Sequence, residues 1–254
     1  MAKIILDNVS KRFVDKSKQS IQSLNNLSFE IDESEIVCIL GPSGCGKTTL
    51  INMLAGYIFP DDGNILHNDE RINGPSAERA VVFQDHALFS WKTVRGNIDF
   101  GLKCKKIDKV KRTEIINEYI SKFNLHGFDK HFPHQLSGGM KQRVGLARAL
   151  AIKPEVLLMD EPFSSLDEQT REFLQEDLLR IHSDIKPTIV LVTHNIEEAI
   201  FLADKIIVLT KRPGTIKTII KVPFNRPRQY EIRNCTDFLQ FRQSIWKIIR
   251  EEIR

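Results

Sequence analysis

An α/β fold with a mostly parallel sheet is predicted by three features of the sequence. Short, wholly apolar runs bounded by turn-forming residues recur along the chain; segments of helical periodicity lie between them; and one run passes through a glycine-rich loop into a helix. The 254 residues suffice for one large α/β domain with a substantial core. Hydrophobic residues at 41% and charged residues at 28% exclude a disordered chain.

In chain order, Ile4 to Leu6, Leu27 to Ile31 and Ile65 to Leu66 read as short strands separated by turn residues, an antiparallel patch beside the main sheet. Ile36 to Leu40 is a buried strand ending at Gly41, and Val81-Val82-Phe83 is a strand ending at Gln84. Residues of about 85–153 favour helix and lack convincing strands, so they are expected to form a helical insertion. Within it, Leu136-Ser137-Gly138-Gly139-Met140 precedes a helix whose buried stripe includes Val144, Ala147 and Leu150 and which ends near Pro154.

Val156 to Met159 is a further apolar strand, ending at Asp160, and Leu174, Leu178 and Ile181 sit at helical spacing. Thr188 to Val192 and Ile206 to Leu209 complete the strand series; Asn195-Ile196-Glu197-Glu198 between them has capping-box form. Arg212-Pro213-Gly214 reads as a turn between two strands. After Pro223 and Pro227, the residues Phe238, Phe241, Ile245, Ile248, Ile249 and Ile253 form an amphipathic stripe expected to pack back on its own domain. The organisation expected is one domain over 1–222 and a C-terminal amphipathic extension over 223–254.

No apolar run approaches the 20 or so residues that cross a bilayer, and Asp7 follows Ile4-Ile5-Leu6 before any signal-like run develops. A cytoplasmic location is therefore expected. Cys38, Cys45, Cys104 and Cys235 are scattered without metal spacing and read as reduced thiols. The net charge of +4 is spread among acids along the chain and does not mark a nucleic-acid surface.

The chemistry concentrates at strand ends. Gly41-Pro42-Ser43-Gly44-Cys45-Gly46-Lys47-Thr48 matches the G-x-x-x-x-G-K-[ST] pattern at a strand-to-helix junction. Its glycines let backbone N–H groups close on a phosphate, the helix presents its positive end, and Lys47 adds a point charge. Thr48 can offer its hydroxyl to Mg²⁺. Because Cys45 sits inside this cradle, a bulky thiol reagent is expected to block it. Asp160 and Glu161 follow a strand at the edge where ligands of parallel sheets collect; Asp160 suits Mg²⁺ and Glu161 suits a general base. Alone, two such acids are common in loops. His194 and Gln84 are likewise only polar strand ends in isolation. Ser137 with its paired glycines makes a second anion-ready helix start.

Taken together, the order and spacing of these motifs resemble the ATP-binding cassette ATPases over roughly Ile4 to Val222. The resemblance implies a P-loop NTPase core with an antiparallel β patch and an inserted helical subdomain. It implies a Walker A motif from Gly41 to Thr49, a Q-loop at Gln84 that touches the metal, a signature from Leu136 to Met140, and Walker B with its catalytic glutamate at Asp160 and Glu161. Ser164-Ser165-Leu166-Asp167 then resembles the D-loop, His194 the switch histidine, and Phe13 the adenine-stacking aromatic. Phe13 replaces the more usual Tyr and Met140 the more usual Gln; neither change removes a required charge.

By the same resemblance, ATP and Mg²⁺ would lie between the Walker A of one copy and Ser137, Gly138 and Gly139 of a second. The assembly would include integral membrane permease subunits and, indirectly, an extracytoplasmic substrate-binding protein. The Met140 variant, the run from Phe89 to Val94, and Leu202-Ala203-Asp204 followed by Lys211-Arg212-Pro213-Gly214 resemble the nitrate, taurine and sulfonate importer branch, which also includes importers of vitamin precursors. A cassette ATPase acting on nucleic acid or ribosomes, a nucleotide-storage protein and an exporter are the competing readings. The first would bring joined cassettes or long coiled coils.

Overall fold

Strands and helices alternate through most of the chain. In a computed structural model that describes residues 2–14, 19–85 and 87–253, they are β1 (Ala2–Val14), β2 (Ser20–Asp32), β3 (Ile36–Leu40), α1 (Lys47–Ala55), β4 (Asp62–His67), β5 (Glu70–Arg71) and β6 (Arg79–Val82). Then follow α2 (Val94–Cys104), α3 (Lys109–Lys122), α4 (Gly138–Ala151), β7 (Val156–Asp160), α5 (Glu168–Ile185) and β8 (Thr188–Thr193). The chain continues through α6 (Ile196–Leu202), β9 (Lys205–Leu209), β10 (Ile216–Lys221) and α7 (Thr236–Ile253).

The main sheet has the order β10-β9-β3-β8-β7-β6, parallel throughout except between β9 and β10. Its apolar runs are explained by burial on both faces. In β3, Ile36, Cys38 and Leu40 enter one core, while Val37 and Ile39 enter the other. The same alternation divides Leu157 and Met159 from Val156 and Leu158, and Ile189 and Leu191 from Val190 and Val192. Each such side chain contributes about 1.5–3 kcal/mol on burial.

A second sheet, β2-β1-β4-β5, is antiparallel, and α1 is buried between the two sheets through Leu50, Ile51 and Leu54. β1 and β2 run much further than the short apolar segments suggest. Register shifts interrupt their pairing, and Asn8 and Asn26 have φ of 52° and 53°, so the alternation of apolar residues is broken where the strands continue. β6 stops at Val82, one residue before the expected end.

Among the described residues of 85–153 there are helices and no strand. Thr93, Asp108 and Ser137 cap α2, α3 and α4 by accepting backbone N–H bonds. α4 reaches into the core of the main sheet through Val144, Ala147 and Leu150. At the other end of the chain, Phe238, Ile245 and Ile249 of α7 enter that same core; the side chain of Ile253 lies outside the described residues. The connection is fastened by Arg228, whose guanidinium donates to the carbonyls of Ile200, Phe201 and Ala203 at the end of α6. Among the described residues, no helix is long and apolar enough to cross a membrane.

Candidate functional site

β3 ends at Leu40, and the following loop folds back over the start of α1. Gly44 and Gly46 have φ of 78° and 106°, a left-handed backbone that favours glycine. Gly46 caps α1 without a side chain, so the first-turn N–H groups are left for an outside acceptor. Lys47 is 7% exposed, and its Nζ donates to the carbonyls of Gly41 at 2.9 Å and Pro42 at 3.1 Å. An ammonium group this buried and resting on neutral carbonyls is suited to an arriving anion. The loop opens on a cavity of about 280 Å³ lined by Ser23, Ser43, Gly44, Gly46, Lys47, Thr48, Thr49, Glu161 and Arg212.

Sheet register brings the acids and the histidine to the same edge. Leu40 pairs with Thr193 and Asp160 with Val192, so Gly41, Glu161 and His194 leave adjacent strands together. Glu161 has φ of 45° and donates its N–H to the Val192 carbonyl at 3.0 Å. His194 Nδ1 lies 3.0 Å from Glu161 Oε2; a carboxylate only accepts, so Nδ1 carries the proton and Nε2 is left for a second partner. Burial pushes the Asp160 carboxyl above its ordinary range; a Thr48 hydrogen bond lowers it, the Glu161 charge raises it and Lys47 lowers it. Thr48 and Asp160 are thus paired oxygen donors beside the phosphate loop, a fit for Mg²⁺ that keeps waters and phosphate oxygens in its other positions.

The remaining candidates stand apart from that cavity. Val82 pairs with Met159, so the exposed Gln84 leaves β6 at the same sheet edge without lining the cavity. Phe13, near the end of β1, is 42% exposed, with Lys11 Nζ 5.6 Å from its ring centre. Ser137 caps α4 by accepting the Met140 N–H at 3.3 Å, and Ser137 and Gly138 are exposed. Gly139 is buried against α5; a Cβ there would stand 2.3 Å from Thr170 Cγ2. The exposed Asp167 caps α5 by accepting the Thr170 N–H at 2.9 Å, which holds its carboxyl below the usual range. Thr170 therefore joins the Ser137 helix start to the Asp167 turn.

Two expectations change. Cys45 contributes backbone to the loop, but its side chain is 1% exposed and lies in the core below. Burial raises its thiol pKa, with Lys47 and Arg212 acting against that rise, and a bulky reagent is expected not to reach the buried side chain. At α6, Asn195 accepts the Glu198 N–H as expected, but the Glu198 carboxylate turns inward to Gln175 Nε2 at 3.2 Å instead of returning to the cap. Ser23 and Arg212 are cavity residues that the sequence reading missed. Ser23 carries no motif, and Arg212 reads in the sequence as part of a turn and of a branch resemblance, with no contact to the phosphate loop.

A strand, phosphate loop and helix, with an acid-bearing strand two places away in the sheet, define a P-loop nucleotide-binding protein. This chain belongs to the ABC transporter family, whose model matches residues 24–164, and it is an ATPase cassette of that family. A taurine import ATP-binding protein of Pelagibacter ubique is 40% identical over 253 residues, covering 98% of this chain and 96% of the relative. A nitrate import ATP-binding protein of Synechocystis sp. is also 40% identical, covering 96% and 94%. Among solved structures, a dimeric ATP-binding cassette in a post-hydrolysis state with ADP and Pi superposes with a TM-score of 0.77 at 30% identity, covering 87% of this chain and 100% of that one.

Proposed function

We propose that this chain is the ATP-hydrolysing subunit of an import system, working as two copies at the cytoplasmic face of a membrane on separate permease subunits. The observation that carries the pairing is a division of labour within the chain. The phosphate-loop cavity is lined without Ser137, Gly138 or Gly139, yet these residues form a second helix start of the kind that receives anions, exposed at Ser137 and Gly138 with Gly139 buried against α5. A second copy arranged head to tail gives that helix start its phosphate. That a similar cassette bound to ADP and Pi is dimeric supports pairing as two copies.

In this reading Gly41, Pro42, Ser43, Gly44, Cys45 and Gly46 form the loop that wraps the phosphates, with donors such as the Gly44 and Gly46 backbone N–H groups and none from Pro42, Lys47 supplies charge, Thr49 extends the contact along α1, and Phe13 stacks on adenine. Thr48 and Asp160, with Gln84 at the edge, hold Mg²⁺, which when bound neutralises phosphate charge. Glu161 accepts a proton from the attacking water or orients it, and His194 keeps the Glu161 carboxylate in place. Asp167 and Ser137 close the site from the partner copy. Residues 1–222 are the motor, and the extension over 223–254 braces it through α7.

The cargo is proposed to be nitrate, a sulfonate or a taurine-like solute, or a vitamin precursor, delivered by an extracytoplasmic binding protein. Nucleic acid is not a partner in this reading. Two relatives of equal identity bear different cargo names, as expected when cargo contacts lie on other subunits.

Glu161→Gln with ATP and Mg²⁺ is expected to elute as a dimer in chromatography with light scattering, and as a monomer without nucleotide. A variant that stays monomeric at every protein concentration overturns the pairing.

A further inference from the structure

The turn between β9 and β10 does more than connect two strands. Gly214 donates its N–H to the Ser23 carbonyl at 2.9 Å and accepts from the Asn25 N–H at 2.9 Å, so the turn is bonded to β2. On its other side a Cβ at Gly214 would stand 2.2 Å from the Cys45 carbonyl oxygen, a contact only glycine allows. Phosphate loop, β2 and turn are therefore in mutual backbone contact. From this base, Arg212 reaches over the loop; its Nε donates to the Gly44 carbonyl at 3.1 Å, and its side chain lines the same cavity as Lys47, Thr49 and Glu161.

The turn is also tied to the C-terminal helix. Glu252 of α7 accepts from the Lys211 N–H at 3.3 Å and pairs with Lys217 at 3.0 Å. The residue before Arg212 is thus fixed by a carboxylate from the last helix, and the arginine stands on a held backbone.

We infer that Arg212 is a positioning residue for the phosphate loop, acting on nucleotide affinity. By engaging the Gly44 carbonyl it fixes the Gly44–Cys45 peptide, whose N–H donates within the loop to the Pro42 carbonyl at 3.3 Å, so the loop holds its shape around the cavity, and it adds a second cation beside Lys47 there. This role rests on the reading of the loop as an ATP site.

The test compares Arg212→Ala, Arg212→Lys and Lys47→Ala in the full chain, using a fluorescent ATP analogue for affinity and steady-state ATP hydrolysis for KM and kcat. Loss of a charge-assisted hydrogen bond at an exposed arginine is expected to weaken affinity about tenfold and raise KM for ATP by a similar factor. The expected kcat stays within about twofold, since Arg212 is not assigned to the reacting atoms. Arg212→Lys, which keeps the charge with a less directional donor, is expected to recover part of the affinity. A lowered melting temperature with unchanged affinity and KM overturns the inference, because the turn is then only a brace. Affinity lost in Lys47→Ala but intact in Arg212→Ala overturns Arg212 alone; affinity intact in both overturns the ATP site itself.

Discussion

Cys45 and Lys47 are two residues apart in the phosphate loop and meet opposite environments. The lysine brings its ammonium group to the backbone carbonyls of Gly41 and Pro42 at the cavity, while the cysteine side chain turns under the loop into the apolar core. Thiol reagents should distinguish the four cysteines accordingly. Cys104 and Cys235 are exposed, whereas Cys38 and Cys45 are buried and burial pushes both their thiols up. A bulky maleimide followed by mass spectrometry is expected to add two labels to the native chain and four after unfolding. Labelling of Cys45 in the native chain as fast as Cys104 contradicts the structure. Glu161 is the other residue whose surroundings are decisive: its φ of 45° costs about 1–2 kcal/mol for a residue with a Cβ. That turn sends the carboxylate to His194 Nδ1 instead of along the strand.

At the scale of elements, α6 carries a titration built into its first turn. Glu198 is 3% exposed, and burial drives its carboxyl from 4.5 up to about 7, against the pull of Thr193, Arg171, Arg233 and Gln175. The folded chain keeps this proton where the unfolded chain has released it. Its contribution to stability is therefore complete below pH 4.5, falls as pH rises toward 7, and is lost above that. The difference corresponds to the order of 3 kcal/mol between pH 4.5 and 8. Denaturation midpoints measured at pH 5 and pH 8 are expected to fall in the native chain and to change much less in Glu198→Gln; equal slopes would remove Glu198 as the source. The asparagine cap was legible in the sequence, because Asn195 bonds locally to the Glu198 N–H. The direction of the carboxylate was not, because apart from Thr193 its partners arrive from α5 and from the segment before α7. The same division runs through the fold. β3, β7, β8 and β9 could be read because burial on both faces leaves an unbroken apolar run. β1 and β2 could be read only in pieces, because their bulges interrupt the pattern. Lys47 is marked by its glycine-rich loop, and Asp160, Glu161 and His194 at strand ends gain meaning only from the order of the motifs together, whereas Ser23 and Arg212 join the cavity only through tertiary packing of three separate segments.

At the scale of the whole molecule, the proposed pairing rests on two different helix starts on separate elements, α1 and α4, each assigned to phosphate in that reading. If nucleotide is held between copies, a chain with a disabled phosphate loop and a chain with a disabled second helix start are complementary. Lys47→Ala alone gives pairs in which both sites lack the lysine; Ser137→Glu alone gives pairs in which both sites meet a repelling carboxylate. Mixed pairs place both defects in one site and leave the other with an intact loop from one chain and an intact serine–glycine turn from its partner. Equal mixing with random pairing puts about half of the chains into mixed pairs, each with one sound site, so about a quarter of the wild-type sites are restored. ATP hydrolysis measured before and after mixing is expected to rise from near zero toward that fraction, provided one sound site turns over by itself. Because Ser137 caps α4, Ser137→Glu also gives up about 1 kcal/mol of helix stability, so circular dichroism of the unmixed variant separates misfolding from a lost partner contact. A well-folded pair of variants that shows no recovery on mixing, while mixed pairs of Lys47→Ala with the unaltered chain keep turning over at their one sound site, would place all the phosphate contacts within a single chain and leave the helix start at Ser137 without a nucleotide.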